Sequence, residues 1–485
     1  APVNGIPQGN YEPVRLLITP KKTQMFVAGG EHRFSDRTTV TAELAVSNKD
    51  LNTFSQQGDS DDTGLGAKVG INHAVPLGGK DGSEWSLRGK LDYEFAGSRF
   101  EPVERYRSVE FERDWNLGEQ TFESNQHLGA LGLELSREKL GKLEYEFNSF
   151  LSGKDYKGFR NRAASSVEFK SFNLDFDGSI LNTEQEERST RFIRQKGSLS
   201  KDFKKLTLGI REEIEDNEFR EKSTDTLTSE SFSFFEWEVF LETPDTAKTP
   251  FRLSYKQRTD KLPYGNKLER SSVGREAAFS LRLLNRSGHR LTLSSIYRSL
   301  AVIDTALVNQ PPEDNLLGRL EHFVRFLKGA VTFNTFYELG SGLDKKQEFY
   351  YLKVPDGEGI YTWIDYNGDG VEQLNEFEVA PFKDQANYVR AFVQSNEFVR
   401  GYYNKFTESV NFQPAAVWKG KEGIRKFLAR FSNQFVFRTE SRSRSQEPGL
   451  AYNPFAGITR WEDTSLVSVS SSFRNTLYFD RMNTK

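Results

Sequence analysis

The stretch Arg275–Leu300, REAAFSLRLLNRSGHRLTLSSIYRSL, decides how the rest of the chain is read. Ala277, Phe279, Leu281 and Leu283 fall on one side of an extended strand and Ala278, Ser280 and Arg282 on the other, because strand side chains alternate with period two. Asn285-Arg286-Ser287-Gly288 is turn chemistry, with Gly288 free to take the positive φ of a tight reversal. The chain returns as Leu291, Leu293, Ser295 and Tyr297 against Arg290, Thr292, Ser294 and Arg298. Two strands of about ten residues therefore share one apolar and one charged face.

Working outward, the same pattern recurs. Val40, Ala42, Leu44 and Val46 alternate with Thr39, Thr41 and Glu43. Leu87, Gly89, Leu91, Tyr93 and Phe95 oppose Arg88, Lys90, Asp92 and Glu94. Leu131, Leu133 and Leu135 lead through a turn at 136–141 to Leu143, Tyr145 and Phe147, which alternate with Glu144 and Glu146. Between Val167 and Ile180 the apolar phase flips, and a two-residue turn at Lys170-Ser171 accounts for it by setting Phe169 opposite Phe172. Residues 1–22 contain Pro2, Pro7, Pro13 and Pro20 and read as an irregular lead-in. Residues 23–485 read as one β domain. Connections of roughly two to eight residues alternate with ones of fifteen or more, near 49–64, 100–126, 215–231, 259–273, 300–316 and 340–390. In an up-and-down sheet this places short turns at one rim and long loops at the other.

Composition agrees with a strand protein. Forty Phe and eighteen Tyr stand against two Met, and the absence of Cys excludes disulfides and thiol chemistry. A net charge of −3 gives no electrostatic case for nucleic acid. No apolar run approaches the roughly twenty residues of a spanning helix. A β-barrel, however, hides its apolar band in a period-two pattern. Strands of about nine to twelve residues, loops sorted by length and both signs of charge at strand centres favour an all-β, antiparallel up-and-down transmembrane β-barrel of roughly eighteen to twenty strands. Its partner is the lipid bilayer and its place the outer membrane. Tyr93, Phe95, Trp237, Tyr255, Tyr297 and Tyr337 are candidates for the aromatic girdle. The competing reading is a soluble, surface-attached all-β protein that binds glycan or protein through its long loops, its apolar faces packed on each other.

One motif carries a chemistry. Asp365-Tyr366-Asn367-Gly368-Asp369-Gly370-Val371-Glu372-Gln373-Leu374-Asn375-Glu376 fits the twelve-residue calcium-loop pattern at every constrained position. Asp365, Asn367 and Asp369 offer side-chain oxygens, Val371 its carbonyl, Gln373 a direct or water-mediated contact, and Glu376 two carboxylate oxygens for Ca²⁺. The flanks depart from a paired helix–loop–helix: Ile360–Ile364 is strand-like, no amphipathic helix follows, and Glu372 stands where an aliphatic residue is usual. The expected role is a calcium-stabilised surface loop. The alternative is a polar turn made by the same Asp, Asn and Gly residues.

The run from Tyr361 to Gly370, with Asn375-Glu376-Phe377-Glu378 and Asp384-Gln385-Ala386-Asn387-Tyr388, resembles a stretch of large outer-membrane β-barrel proteins of the Bacteroidota. Val103–Phe111, continued to Trp115, resembles another; together they cover about a tenth of the chain. The resemblance implies an envelope location, other outer-membrane or surface proteins as partners, and by analogy a secretion or assembly role. Phe473–Phe479 is strand-like, but Asp480–Lys485 starts a new turn without a terminal aromatic, as expected of part of a longer chain or assembly.

Catalysis finds no foothold. The five histidines, 32, 73, 127, 289 and 322, lie far apart, and no nucleophile elbow, P-loop or dinucleotide fingerprint occurs. The charged segment 101–114 reads as a solvated or partner-docking loop.

Overall fold

In the computed structural model, residues 19–480 are described, apart from 55–61, 79–84, 119–121, 245, 286–287, 445–446 and 461–462. The strands run in chain order as β1 Lys22–Ser35, β2 Thr38–Asp50, β3 Thr63–Leu77, β4 Trp85–Ala96, β5 Gln126–Arg137, β6 Gly141–Ser152, β7 Tyr156–Phe169 and β8 Phe172–Gln185. Then come β9 Arg188–Asp202, β10 Thr207–Glu221, β11 Thr226–Leu227, β12 Phe232–Glu242, β13 Phe251–Tyr264, β14 Lys267–Asn285 and β15 His289–Val302. The last are β16 Glu313–Phe326, β17 Val331–Lys353, β18 Tyr361–Trp363, β19 Phe377–Val379, β20 Tyr388–Phe412, β21 Phe431–Ser443 and β22 Leu466–Phe479. Three of these 22 strands, β11, β18 and β19, have only two or three residues. The chain is mostly β, antiparallel and up-and-down. Helix is confined to short turns in connections, such as Phe111–Asp114, Ala415–Trp418 and Ile424–Leu428.

The chain forms two compact units. The first holds the described residues up to Lys204 with Leu208–Glu238 and Arg258–Ser271; the second holds Lys205–Thr207, Val239–Gln257 and the described residues from Ser272 onward. In the first, each strand from β1 to β9 pairs antiparallel with the next. In the second, β14 through β17 pair in succession, followed by β17–β20, β20–β21 and β21–β22.

The hairpin that opened the sequence reading forms as expected. Ala277 faces Tyr297, Leu281 faces Leu293 and Leu283 faces Leu291, while Glu276 on the other face pairs with Arg298 at 2.5 Å. Gly288 has φ +100°. Phe169 likewise faces Phe172 across the Lys170-Ser171 turn, which Lys170 enters at φ +56°.

Several loop boundaries differ from the expectation. The segment 259–273 is not a loop: β13 and β14 run through it and reverse at Gly265-Asn266. Its polar side chains alternate on extended strands, where Arg258 reaches Asp260 at 2.8 Å. The 340–390 connection shortens to 354–387, because β17 and β20 extend to Lys353 and Tyr388 and pair along that length. Those two strands have 23 and 25 residues, longer than the nine to twelve expected. The connection at 215–231 shrinks to 222–231, interrupted by β11, and the one at 300–316 to 303–312. Segregation by length is partial. The β6–β7 and β8–β9 turns have three and two residues, so short turns follow one another there, and the β20–β21 connection, read as a short turn near 418–424, is long and carries two helical turns.

Within the first unit the two faces are sharply distinct. Val40, Ile71, Leu91, Leu131 and Phe147 lie directly opposite one another on five successive strands. Ile71, Leu91, Leu131 and Phe147 are 36–50% exposed, so among the described residues no second layer covers this row. The soluble reading, with apolar faces packed together, called for them to be buried.

Candidate functional site

On the opposite face, Arg88, Glu134, Glu144, Ala164, Asp177 and Lys196 form one register row across six strands. Their charges are matched locally. Arg88 meets Glu134 at 3.4 Å, Arg162 bridges Glu144 at 3.8 Å and Asp177, and Lys142 pairs with Glu144. Farther along, Lys196 reaches Glu213 at 2.9 Å and Arg211 reaches Glu238 at 3.5 Å. From Lys142, Glu144 and Arg162 to Glu213 and Glu238 these groups line an open groove of about 450 Å³. Acidic groups outnumber basic ones along it, and it offers hydrogen-bonding partners to a hydrated solute rather than a dry pocket. Arg88, Lys90 and Glu144, which alternate with the apolar residues in the sequence reading, belong to this ion-paired face, and Arg211 and Glu213 join it.

The 354–387 connection of the second unit holds the calcium-loop residues. Its base is aromatic: Tyr351 stacks on Phe377 with ring centroids 4.0 Å apart, and Tyr361 and Tyr388 pack edge-on against that pair. Gly359 lies so close to the Tyr388 backbone that a Cβ would come within 2.5 Å of its nitrogen, so only glycine lets this segment seat. The motif follows β18, confirming the strand-like lead-in, and ends in one helical turn, Leu374–Glu376, before β19.

Inside the motif the chain curls around Asp365. Its carboxylate accepts the backbone N–H of Gly368 at 2.7 Å and of Gly370 at 2.9 Å. Both glycines have positive φ, +74° and +70°, which the curl demands. Asn367 accepts from the Asp369 backbone at 2.9 Å, and Asp369 accepts from Val371 at 2.7 Å. The Asp369 carboxylate also takes the side-chain amides of Asn367 and Gln373 at 2.9 and 2.8 Å. Glu376 is almost fully buried and accepts the Trp363 indole N–H at 2.9 Å. Glu372, the residue that departs from the usual pattern, is held by the Tyr388 hydroxyl at 2.6 Å. In this arrangement the carboxylates of Asp365, Asp369 and Glu376 serve backbone and side-chain donors; among the described residues no three His, Cys, Asp or Glu side chains gather as a metal-ligating group. Among groups outside the strands, the Tyr366 phenol is shifted upward in pKa by its hydrogen bond to Glu378.

Sequence reading missed one element. The 101–114 segment, taken as solvated or partner-docking, is instead folded onto the ion-paired face of its own unit. Arg107, Asp114 and Asn116 bond to strand residues there. Trp115 and Leu117, two apolar residues inside a charged run, were the available signal.

No protein-family model and no curated protein matches the sequence. Among solved structures the chain is similar to the siderophore receptor PirA from Acinetobacter baumannii, at 9% identity and a TM-score of 0.33, over 92% of this chain and 74% of that one.

Proposed function

We propose that this chain is a β-barrel of the outer membrane that provides a transport pore or a scaffold subunit in an envelope assembly, and that its 354–387 connection binds Ca²⁺. The observation that carries the reading is the pairing of an uncovered apolar face with an ion-paired face on the same strands. Rows such as Ile71–Leu91–Leu131–Phe147, left in water, would expose a contiguous apolar stripe across successive strands, which marks a surface that meets a partner or lipid. Against lipid tails the same rows are satisfied, and the charged rows then line a hydrated interior. Closure of the sheet meets the demand that every backbone N–H and C=O in hydrocarbon be paired within the protein. The resemblance of the 361–388 and 103–115 stretches to Bacteroidota barrel proteins supports the same location and suggests partners at the cell surface.

Calcium would be held by Asp365, Asn367 and Asp369 through side-chain oxygens, by the Val371 carbonyl and by Glu376, with Gln373 direct or through water. The donor set is all hard oxygen, and the two left-handed glycines already curl the backbone around Asp365. For Asp369 to turn to the cation, its carboxylate must release the Asn367 and Gln373 amides. The bound ion would stiffen the connection.

Extraction decides the main reading. The chain should leave membranes only in detergent and migrate differently on gels before and after boiling. A monodisperse monomer in plain buffer defeats it.

A further inference from the structure

We infer that residues 97–118, with 122–125, form a strap across the ion-paired face of the first unit and set the size of solute that can pass along it. The inference rests on the pore reading and deepens it.

The path of the strap follows one line of the sheet. Glu94, Leu128, Phe150, Gly158, Thr183 and Thr190 lie opposite one another on β4 through β9, a row of five inter-strand steps. At about 4.8 Å per step the row covers roughly 24 Å of sheet. The strap crosses it nearly at right angles to the strands. At the β4 end, Arg107 donates to Glu94 at 2.8 Å and to Gln126 at 2.6 Å. Midway, Asp114 accepts Arg194 at 2.6 Å and lies 3.5 Å from Arg160. At the far end the Asn116 amide donates to Thr190 at 3.0 Å and exchanges two bonds with Asn217 of β10, at 2.8 and 3.1 Å. Arg113 closes on Glu215 of β10 at 2.7 Å.

Between these polar anchors lies a dry core on what is elsewhere a hydrophilic face. Trp115 and Leu117 of the strap pack with Phe150, Tyr156, Leu181 and Phe192 of the strands, all six at most 4% exposed. The Tyr156 hydroxyl donates to the Trp115 carbonyl. Gly158 leaves room for the indole: a Cβ there would sit 3.0 Å from Trp115 Cε3. A loop that only shielded the outside of the protein would not need apolar partners placed on the charged face of four strands. Those residues and the strap fit as one constriction. The strap also exposes Glu104, Arg105, Glu110 and Glu112 beside Val103, Tyr106 and Val109, so its open surface is mixed in character.

The test uses the full chain in planar bilayers, with conductance and the exclusion size of neutral polymers as readouts. One variant replaces 103–117 with a Gly-Ser linker of equal length, and a second, Arg113→Ala with Asn116→Ala, loosens the far anchor while leaving the strap core. Gel heat-modifiability in detergent reports the strand fold of each. Conductance should rise several-fold and the size limit should widen in the linker variant, with an intermediate rise in the double variant. Unchanged conductance and size limit in heat-modifiable variants that insert overturns the strap as constriction and leaves the pore standing. If wild type and both variants are heat-modifiable yet none conducts, the pore reading itself fails, and the constriction with it.

Discussion

Phe150→Ala should release the strap without unravelling the strands. Phe150 is fully buried, and its ring has four aromatic neighbours: Phe111 at 5.5 Å, Trp115 at 5.5 Å, Phe122 at 5.7 Å and Tyr156 at 5.2 Å. Truncating such a side chain costs about 3–5 kcal/mol in lost transfer energy and residual cavity. Three of the four neighbours belong to the strap, so most of that loss weakens its seating; the ladders of β6 to β5 and β7 keep every backbone bond. About 3 kcal/mol at the strap, at 1.4 kcal/mol per tenfold, raises its open population roughly a hundredfold. Hydrogen exchange read by mass spectrometry in detergent micelles measures this directly. Amides of 111–117, several of which bond within the strap, should exchange about a hundredfold faster while those of β6 and β7 stay protected. A change below tenfold in the strap, or equal acceleration in the ladders, refutes the assignment of this cluster to strap seating.

Leu91→Arg places a charge in the middle of the exposed apolar row; if that row meets lipid near the bilayer centre, stability in a bilayer falls by about 2–4 kcal/mol. Were the face in water, the same change would stay within about 0.5 kcal/mol, and denaturant titration after reconstitution separates the two. Asp369→Ala should abolish any Ca²⁺-dependent protection of the 354–387 connection from protease, whereas equal protection of wild type and variant in Ca²⁺ contradicts the metal loop. At the ends of β21 and β22, Arg430 donates to Asp480 at 2.8 and 2.9 Å and holds its carboxyl below the usual carboxylate range. A depressed carboxylate pKa stabilises the fold above the unfolded value and loses that contribution as pH falls through the folded one. Arg430→Gln should therefore return the Asp480 titration, followed by carboxyl carbon shifts, to the ordinary range, and an unmoved titration would show that the pair does not set it.

Lys170-Ser171 was legible as a two-residue turn because a period-two pattern can change phase only by reversing or by bulging. The curl at Asp365–Gly370 was legible because its Asp, Asn and Gly spacing is local, and the strand-like Ile360–Ile364 before it was equally plain. The 259–273 segment was not, since a polar strand facing water or an ion-paired interior has the same composition as a loop; the Gly265-Asn266 reversal shows only once β13 and β14 pair. Similarly, the aromatic residues Phe349–Tyr351 join β17 because Arg390–Phe392 face them from β20.

The amino-acid order by itself therefore determined the alternation, and with it two chemically opposite faces on antiparallel hairpins, because side-chain direction along a strand depends only on position. Which face is left uncovered, how far the longest strands extend and where the 97–118 segment comes to rest were decided by tertiary structure. Asn116 and Asn217 meet across 101 residues, and Trp115 finds its cavity only where four strands have already aligned Phe150, Tyr156, Leu181 and Phe192. Contacts of that range leave no periodic trace in sequence, since they depend on register summed over every intervening hairpin.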